Sequence, residues 1–234
     1  MIDEKFLQRY TESLLKGDRR GGRAVVEEIL QNGLPVTTVY MDVIWPVMLK
    51  IDNLYRQDVI TSTQEHLATR INRTIVDQLQ NKLPRKSEQA KRVVICTAST
   101  ESGELGGQMI ADMFESNGWA VRFLGGGLNN DEILAFVNEF SPDTLVLYGT
   151  EPQQAPEVRR IIDRIREINA WPDMKIMLSG GVFARAEGLW EEIGANLYAA
   201  MPAEAVELAS NEGQVQCQPE RTINRRKRKK PVSV

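Results

Sequence analysis

The feature that most constrains this chain is a change of hydrophobic period near residue 85. Before it, apolar residues recur at helical spacing; after it, short apolar runs alternate with amphipathic stretches. Phe6, Leu7, Tyr10, Leu14 and Leu15 mark a first helix. Asp18 can cap a second that carries Val25, Val26, Ile29 and Leu30, with Gly33 just past its end. A third runs from about Val36 to Gln57, with Val39, Val43, Val47, Ile51 and Leu54 on one side. Pro46 inside it predicts a kink or local break. A fourth starts near Thr61, turns Leu67, Ile71, Ile75 and Leu79 inward, and stops at Pro84. Short connections between such helices imply an antiparallel bundle.

Residues 85–91 (RKSEQAK) are polar and charged and read as a linker. Beyond them, strands are expected at Val93–Cys96, Val121–Leu124, Thr144–Tyr148, Lys175–Leu178 and Ala195–Ala199. They alternate with helices at Gly106–Asn117, Asp131–Phe140, Pro156–Asn169, Ala184–Ile193 and Ala203–Ser210. Strict alternation implies a parallel sheet with helices on both faces. The fold class is therefore α/β: an N-terminal four-helix bundle over residues 1–84, then a flavodoxin-like five-stranded unit over residues 92–210. Ligands in such sheets bind outside the carboxyl ends of the strands. The loops there are Thr97–Gly106, Gly125–Asn129, Gly149–Gln154 and Ser179–Phe183.

Charge separates the tail from this body. The chain totals −3, yet seven basic residues and no acid follow residue 220, which leaves the first 220 residues at −10. An acidic body is a poor partner for phosphates, so nucleic acid or another acidic surface could be held only by the tail. Residues 211–234 lack periodicity and are expected to be disordered. No apolar run approaches the ~18–20 residues that span a bilayer. The acidic start MIDEKFLQRY does not resemble a signal peptide, and Cys96 and Cys217 cannot form a disulfide scaffold. The expectation is a cytoplasmic protein. His66 is the one histidine, so any ligation of a metal by imidazole falls to it.

Residues 38–69, TVYMDVIWPVMLKIDNLYRQDVITSTQEHLAT, carry a resemblance. Asp42, Pro46 and the Glu65-His66-Leu67-Ala68 run resemble the helical cap of cobalamin-binding domains, the module of light-sensing transcription regulators and of methionine synthase. Gly180-Gly181, Ile193-Gly194-Ala195 and the order of bundle and sheet extend the likeness from about residue 5 to 210. The resemblance implies a corrin ring between cap and α/β unit, faced by Tyr55, Arg56, Glu65, His66, Glu101, Ser102, Gly103, Gly106, Tyr148, Thr150, Gly180 and Gly181. His66 is then the candidate metal ligand.

The departures are specific. The family's Asp-x-His-x-x-Gly motif places a histidine beneath the cobalt; here the stretch is Glu101-Ser102-Gly103-Glu104-Leu105-Gly106, and Gly103 has no side chain to donate. The cap's tryptophan is Tyr55 and the histidine after it is Arg56, which cannot ligate cobalt. Tyr148 stands where the family has a small serine admitting the nucleotide tail, with Thr150 at the second small position; a tyrosine would narrow that channel. Taken alone, His66 also reads as a buried core histidine, and Gly103–Gly107 and Gly180-Gly181 as plain turns. Met41, Met48, Met109, Met113 and Met177 read as core filling, and Cys96 as an inert thiol.

These features lead to three expectations. The first is a sensory or regulatory protein, not an enzyme, that binds cobalamin or another tetrapyrrole such as haem or bilin. It would signal through a regulatory protein partner in light- or redox-responsive control of transcription. The second is a cofactor-free adaptor or scaffold, and the third a corrinoid carrier in methyl transfer, ranked last for want of the lower histidine. Self-association of cap relatives implies a homodimer.

Overall fold

The computed structural model describes residues 2–98 and 101–211, with only the backbone of Glu101 and Ser102. The basic tail and Cys217 lie outside the described residues. Asp3 accepts a hydrogen bond from the Lys5 amide to cap α1 (Glu4–Leu15), and Asp18 accepts from Arg20 and Gly21 to cap α2 (Arg19–Gln31). The expected third helix is composite: α3 (Val36–Thr38), a π segment (Val39–Ile44) and α4 (Trp45–Arg56). The local break at Pro46 takes this form for a simple reason. The proline ring has no N–H and would strike the carbonyl four residues back, and a widened turn, with the Trp45 amide donating to the Tyr40 carbonyl, gives it room. α5 (Ser62–Gln80) opens with a capping box between Thr61 and Gln64. It buries Ala68, Ile71, Asn72, Ile75, Val76 and Leu79. Leu67, expected on that inner face, is instead 40% exposed, with its methyl groups lying over Gly17.

The second part runs β1 (Arg92–Thr97), α6 (Leu105–Ser116), β2 (Ala120–Gly125), α7 (Asn130–Phe140), β3 (Thr144–Tyr148) and α8 (Ala155–Ile168). It continues through β4 (Lys175–Ser179), α9 (Gly181–Arg185), α10 (Leu189–Ile193), β5 (Leu197–Ala199) and α11 (Pro202–Ser210). All pairings are parallel, in the order β2-β1-β3-β4-β5. The single helix expected over 184–193 is two short ones. Gly188, in the left-handed region at φ 75°, breaks the run between them, and β5 begins two residues later than expected. Register aligns Thr97 with Tyr148, Tyr148 with Ser179, and Ser179 with Ala199. These residues form one row along the carboxyl edge of the sheet.

Strand alternation divides the core. Val94, Cys96, Leu145, Leu147, Ile176 and Leu178 pack beneath α7 and α8. Val93, Ile95, Val146, Tyr148 and Met177 face the other way, against α6 and α11, and this layer continues unbroken into the helical bundle. A polar contact bolts the two parts together. The Tyr40 hydroxyl lies 3.0 Å from the Val76 carbonyl and 3.1 Å from Asp112 Oδ2 on α6. A phenol has one proton for these two acceptors. Burial, assisted by Glu115 and Asp77, pushes the Asp112 carboxyl up to about 7. The protonated carboxyl can then donate to Tyr40 Oη while Tyr40 donates to Val76.

The pH dependence follows from that raised value. The stability Asp112 contributes is complete below the ordinary aspartate range and is lost as the pH rises to about 7. Asp112→Asn, whose amide donates to Tyr40 at any pH, should therefore flatten the fall in stability between pH 5 and 8, by about 1–2 kcal/mol at pH 8. Urea unfolding at the two pH values checks this; an unchanged slope in the variant would count against a buried, titrating Asp112.

Candidate functional site

The helical cap overhangs the carboxyl edge of the sheet, and a cleft lies between them. Its roof is α4 and α5: Met48, Ile51, Asp52 and Tyr55 from the first, Glu65, His66, Thr69 and Asn72 from the second. Its floor is the turn into α6 (Gly103, Leu105, Gly106), the end of β3 and the loop after it (Tyr148, Thr150, Glu151, Gln154), and Gly181 at the start of α9. Two arginines close one side. Arg56 on α4 donates to Asp52 (2.9 Å), to Glu151 across the cleft (2.8 Å) and to the Thr150 carbonyl (3.0 Å). Arg185 from α9 reaches the same Asp52 (3.2 Å) and the same carbonyl. Burial works against the Arg56 charge, but Asp52 and Glu151 more than offset it and hold the guanidinium above its ordinary pKa. This latch ties roof to floor.

Most residues singled out from sequence meet at this cleft. Tyr55, Glu65, His66, Gly103, Gly106, Tyr148, Thr150 and Gly181 all line it. Arg56 stands beside it in the latch. Gly180 supports the floor from behind, at φ 105°, where a Cβ would strike the Gly149 backbone. Glu101 and Ser102 fall in the 3-10 turn Glu101–Glu104, and their side chains are outside the described residues. His66 is not a core histidine: its side chain is 63% exposed, with Nε2 3.6 Å from Glu65 Oε2, and Glu65 in turn accepts from Thr69. Met109, Met113 and Met177 are buried, and Met41 and Met48 pack partly buried against the core, Met48 also lining the cleft. The Cys96 thiol is buried and its pKa pushed up to about 12, as an inert group requires. Asp52, Glu151 and Arg185 were missed. The spacing of Asp52 and Arg56 along one helix was a visible signal; their partners across the cleft were not, because that pairing exists only once the cap is seated.

Comparison with known proteins places this architecture. Residues 6–80 and 91–207 each match a family model described as a B12 binding domain. Monomethylamine corrinoid protein 2 of Methanosarcina acetivorans is 21% identical over 217 residues, spanning 90% of this chain and 99% of that protein. The solved structure of the Methanosarcina barkeri monomethylamine corrinoid protein superposes with a TM-score of 0.78 at 18% identity, over 89% of this chain and 98% of that one. These relatives overturn the expectation of a sensory regulator of transcription, light- or redox-responsive, with a regulatory partner. The likeness to a monomethylamine corrinoid protein covers 90% of this chain and 99% of that protein.

One packing contact in the floor is testable without any ligand. Tyr148 is 3% exposed, and its ring and hydroxyl occupy the space in front of Gly106, where a Cβ would run into them. Gly106→Ala should therefore cost about 1–3 kcal/mol, and much less when introduced into a chain that already carries Tyr148→Ser. Thermal melts of the single and double variants measure this coupling; strictly additive effects would show that the two residues do not touch.

Proposed function

Because this chain belongs to the B12-binding domain family through both its helical and its α/β part, and cobalamin is accordingly its cofactor, we propose that it is a methyl-group carrier. It would take a methyl group from a methyltransferase bound to a small methylated donor, a methylamine first among them, and deliver it to a second methyltransferase. The observation that carries this reading is the end-to-end match to a monomethylamine corrinoid protein, in which the two-part module accounts for 99% of the relative's length.

The residues at the cleft suit a flat macrocycle. Met48, Ile51 and Tyr55 offer an apolar and aromatic roof, and Gly103 leaves the floor beneath it without a side chain. A bound corrinoid supplies the chemistry, reversible transfer of a methyl group at cobalt. The protein's own tasks are to seat the ring, to exclude water with the roof, and to hold roof and floor together through Arg56, Glu151, Asp52 and Arg185. His66, exposed on the roof, would be the imidazole available to the metal from the cap side. The described residues contain no cluster of three or more histidine, cysteine or acidic groups that could hold another metal. We assign catalysis of each transfer to the partner methyltransferases. No described helix is long and apolar enough to cross a membrane.

The experiment is reconstitution. The purified chain mixed with cobalamin should keep a corrinoid spectrum through gel filtration. The reduced complex should then gain a methyl group from monomethylamine when a methylamine methyltransferase is supplied. A complex that holds cobalamin but takes no methyl group in that assay would overturn the carrier role. Arg56→Ala, which removes the latch, should release cobalamin several-fold faster, corresponding to about 0.5–1 kcal/mol for a half-buried ion pair.

A further inference from the structure

Cobalamin brings its own lower ligand, a benzimidazole on a nucleotide loop, and in neutral water that base sits on the cobalt. A protein that holds the base away from the cobalt needs a place for the displaced base, and a competing donor favours the exchange. The floor of this cleft offers neither. Its donors are hydroxyl, carboxyl and amide groups, and Gly103 stands where the resemblance to the family would put the lower histidine. The way inward, between the end of β3 and the first turn of α6, is filled by Tyr148 against Gly106. Thr97 beside it packs its methyl against Gly107 in the same fashion. Burial, with Asp52 adding, raises the pKa of the Tyr148 phenol, so it stays neutral and uncharged in place. The one imidazole, His66, stands across the cleft on the cap.

From this geometry we infer that the protein binds cobalamin with the cofactor's own base retained on the cobalt, and that Tyr148 is the residue that selects this form. The inference rests on the cleft being the corrinoid site proposed above, and it specifies the state of the cofactor there. Gly103 removes the competitor and Tyr148 removes the room.

Electron paramagnetic resonance of the cob(II)alamin complex reads the axial ligand directly. The protein is prepared with uniform nitrogen-15 and loaded with unlabelled cobalamin. A retained base gives each cobalt line the triplet of nitrogen-14, unchanged by labelling the protein. A nitrogen-15 doublet would mean that a protein nitrogen, His66 included, has displaced the base; lines without nitrogen splitting would mean that the base has left with nothing in its place. Either result overturns the inference. The double variant Gly103→His with Tyr148→Ser supplies both donor and room, and should convert the triplet to the doublet. If that variant fails to fold, the labelled parent protein still decides. The spectrum needs no methyl transfer, so a triplet in a protein that carries no methyl group sinks only the carrier role. A protein that binds no cobalamin sinks both.

Discussion

The rest of the structure depends on α6 being buried from both sides. Leu105, Gly106, Gly107, Met109, Ile110, Ala111, Met113 and Phe114 are all shielded from water, so this helix is apolar around nearly its whole circumference. A helix of that kind must be covered on more than one face. The sheet and α11 cover one side and the cap helices the other, in a single apolar layer. Asp112, the one acid buried in the helix, is tolerated because Tyr40 from the π segment meets it. Removing water from both faces of α6 is what holds the cap over the carboxyl edge of the sheet, and the cleft exists because of that placement.

The same packing sets the character of the floor. Parallel register brings Thr97, Tyr148 and Ser179 to one level, and each uses its side chain inward. Ser179 donates to the Ala199 carbonyl, Thr97 meets Gly107, and Tyr148 meets Gly106. An edge whose row is filled in this way presents a closed surface to a ligand above it. The polar groups that remain available belong to the loop after β3 and to the cap, and the latch of Arg56, Arg185, Asp52 and Glu151 joins these two.

Much of this was legible in the sequence, and the failures have physical causes. Strand and helix order could be read because short continuous apolar runs, buried on both faces in the sheet, alternate with longer stretches of helical period. The split of the last crossover helix at Gly188 depends on one left-handed residue, which a periodicity of apolar residues does not register. Leu67 fits the helical stripe but lies near the start of α5, where it stays 40% exposed beside the turn at Gly17. The functional branch was misread for a different reason. The absent histidine at Gly103 argues against a carrier, yet the residues around a ring do not record which partners its protein serves. The likeness of 90% of the chain to a corrinoid protein is what turns the reading away from a sensor.

By itself the sequence determined the two-part architecture, the family, and the absence of a lower histidine. All three follow from residue identity and from spacing along the chain. Only the tertiary structure decided that His66 is exposed at the cleft, that Arg56 pairs with Glu151, nearly a hundred residues further along the chain, and that Tyr148 closes the space beside Gly106. Each of these is a matter of what one segment excludes from, or offers to, another distant in sequence. Such distances are fixed only when the cap and the sheet bury their common core.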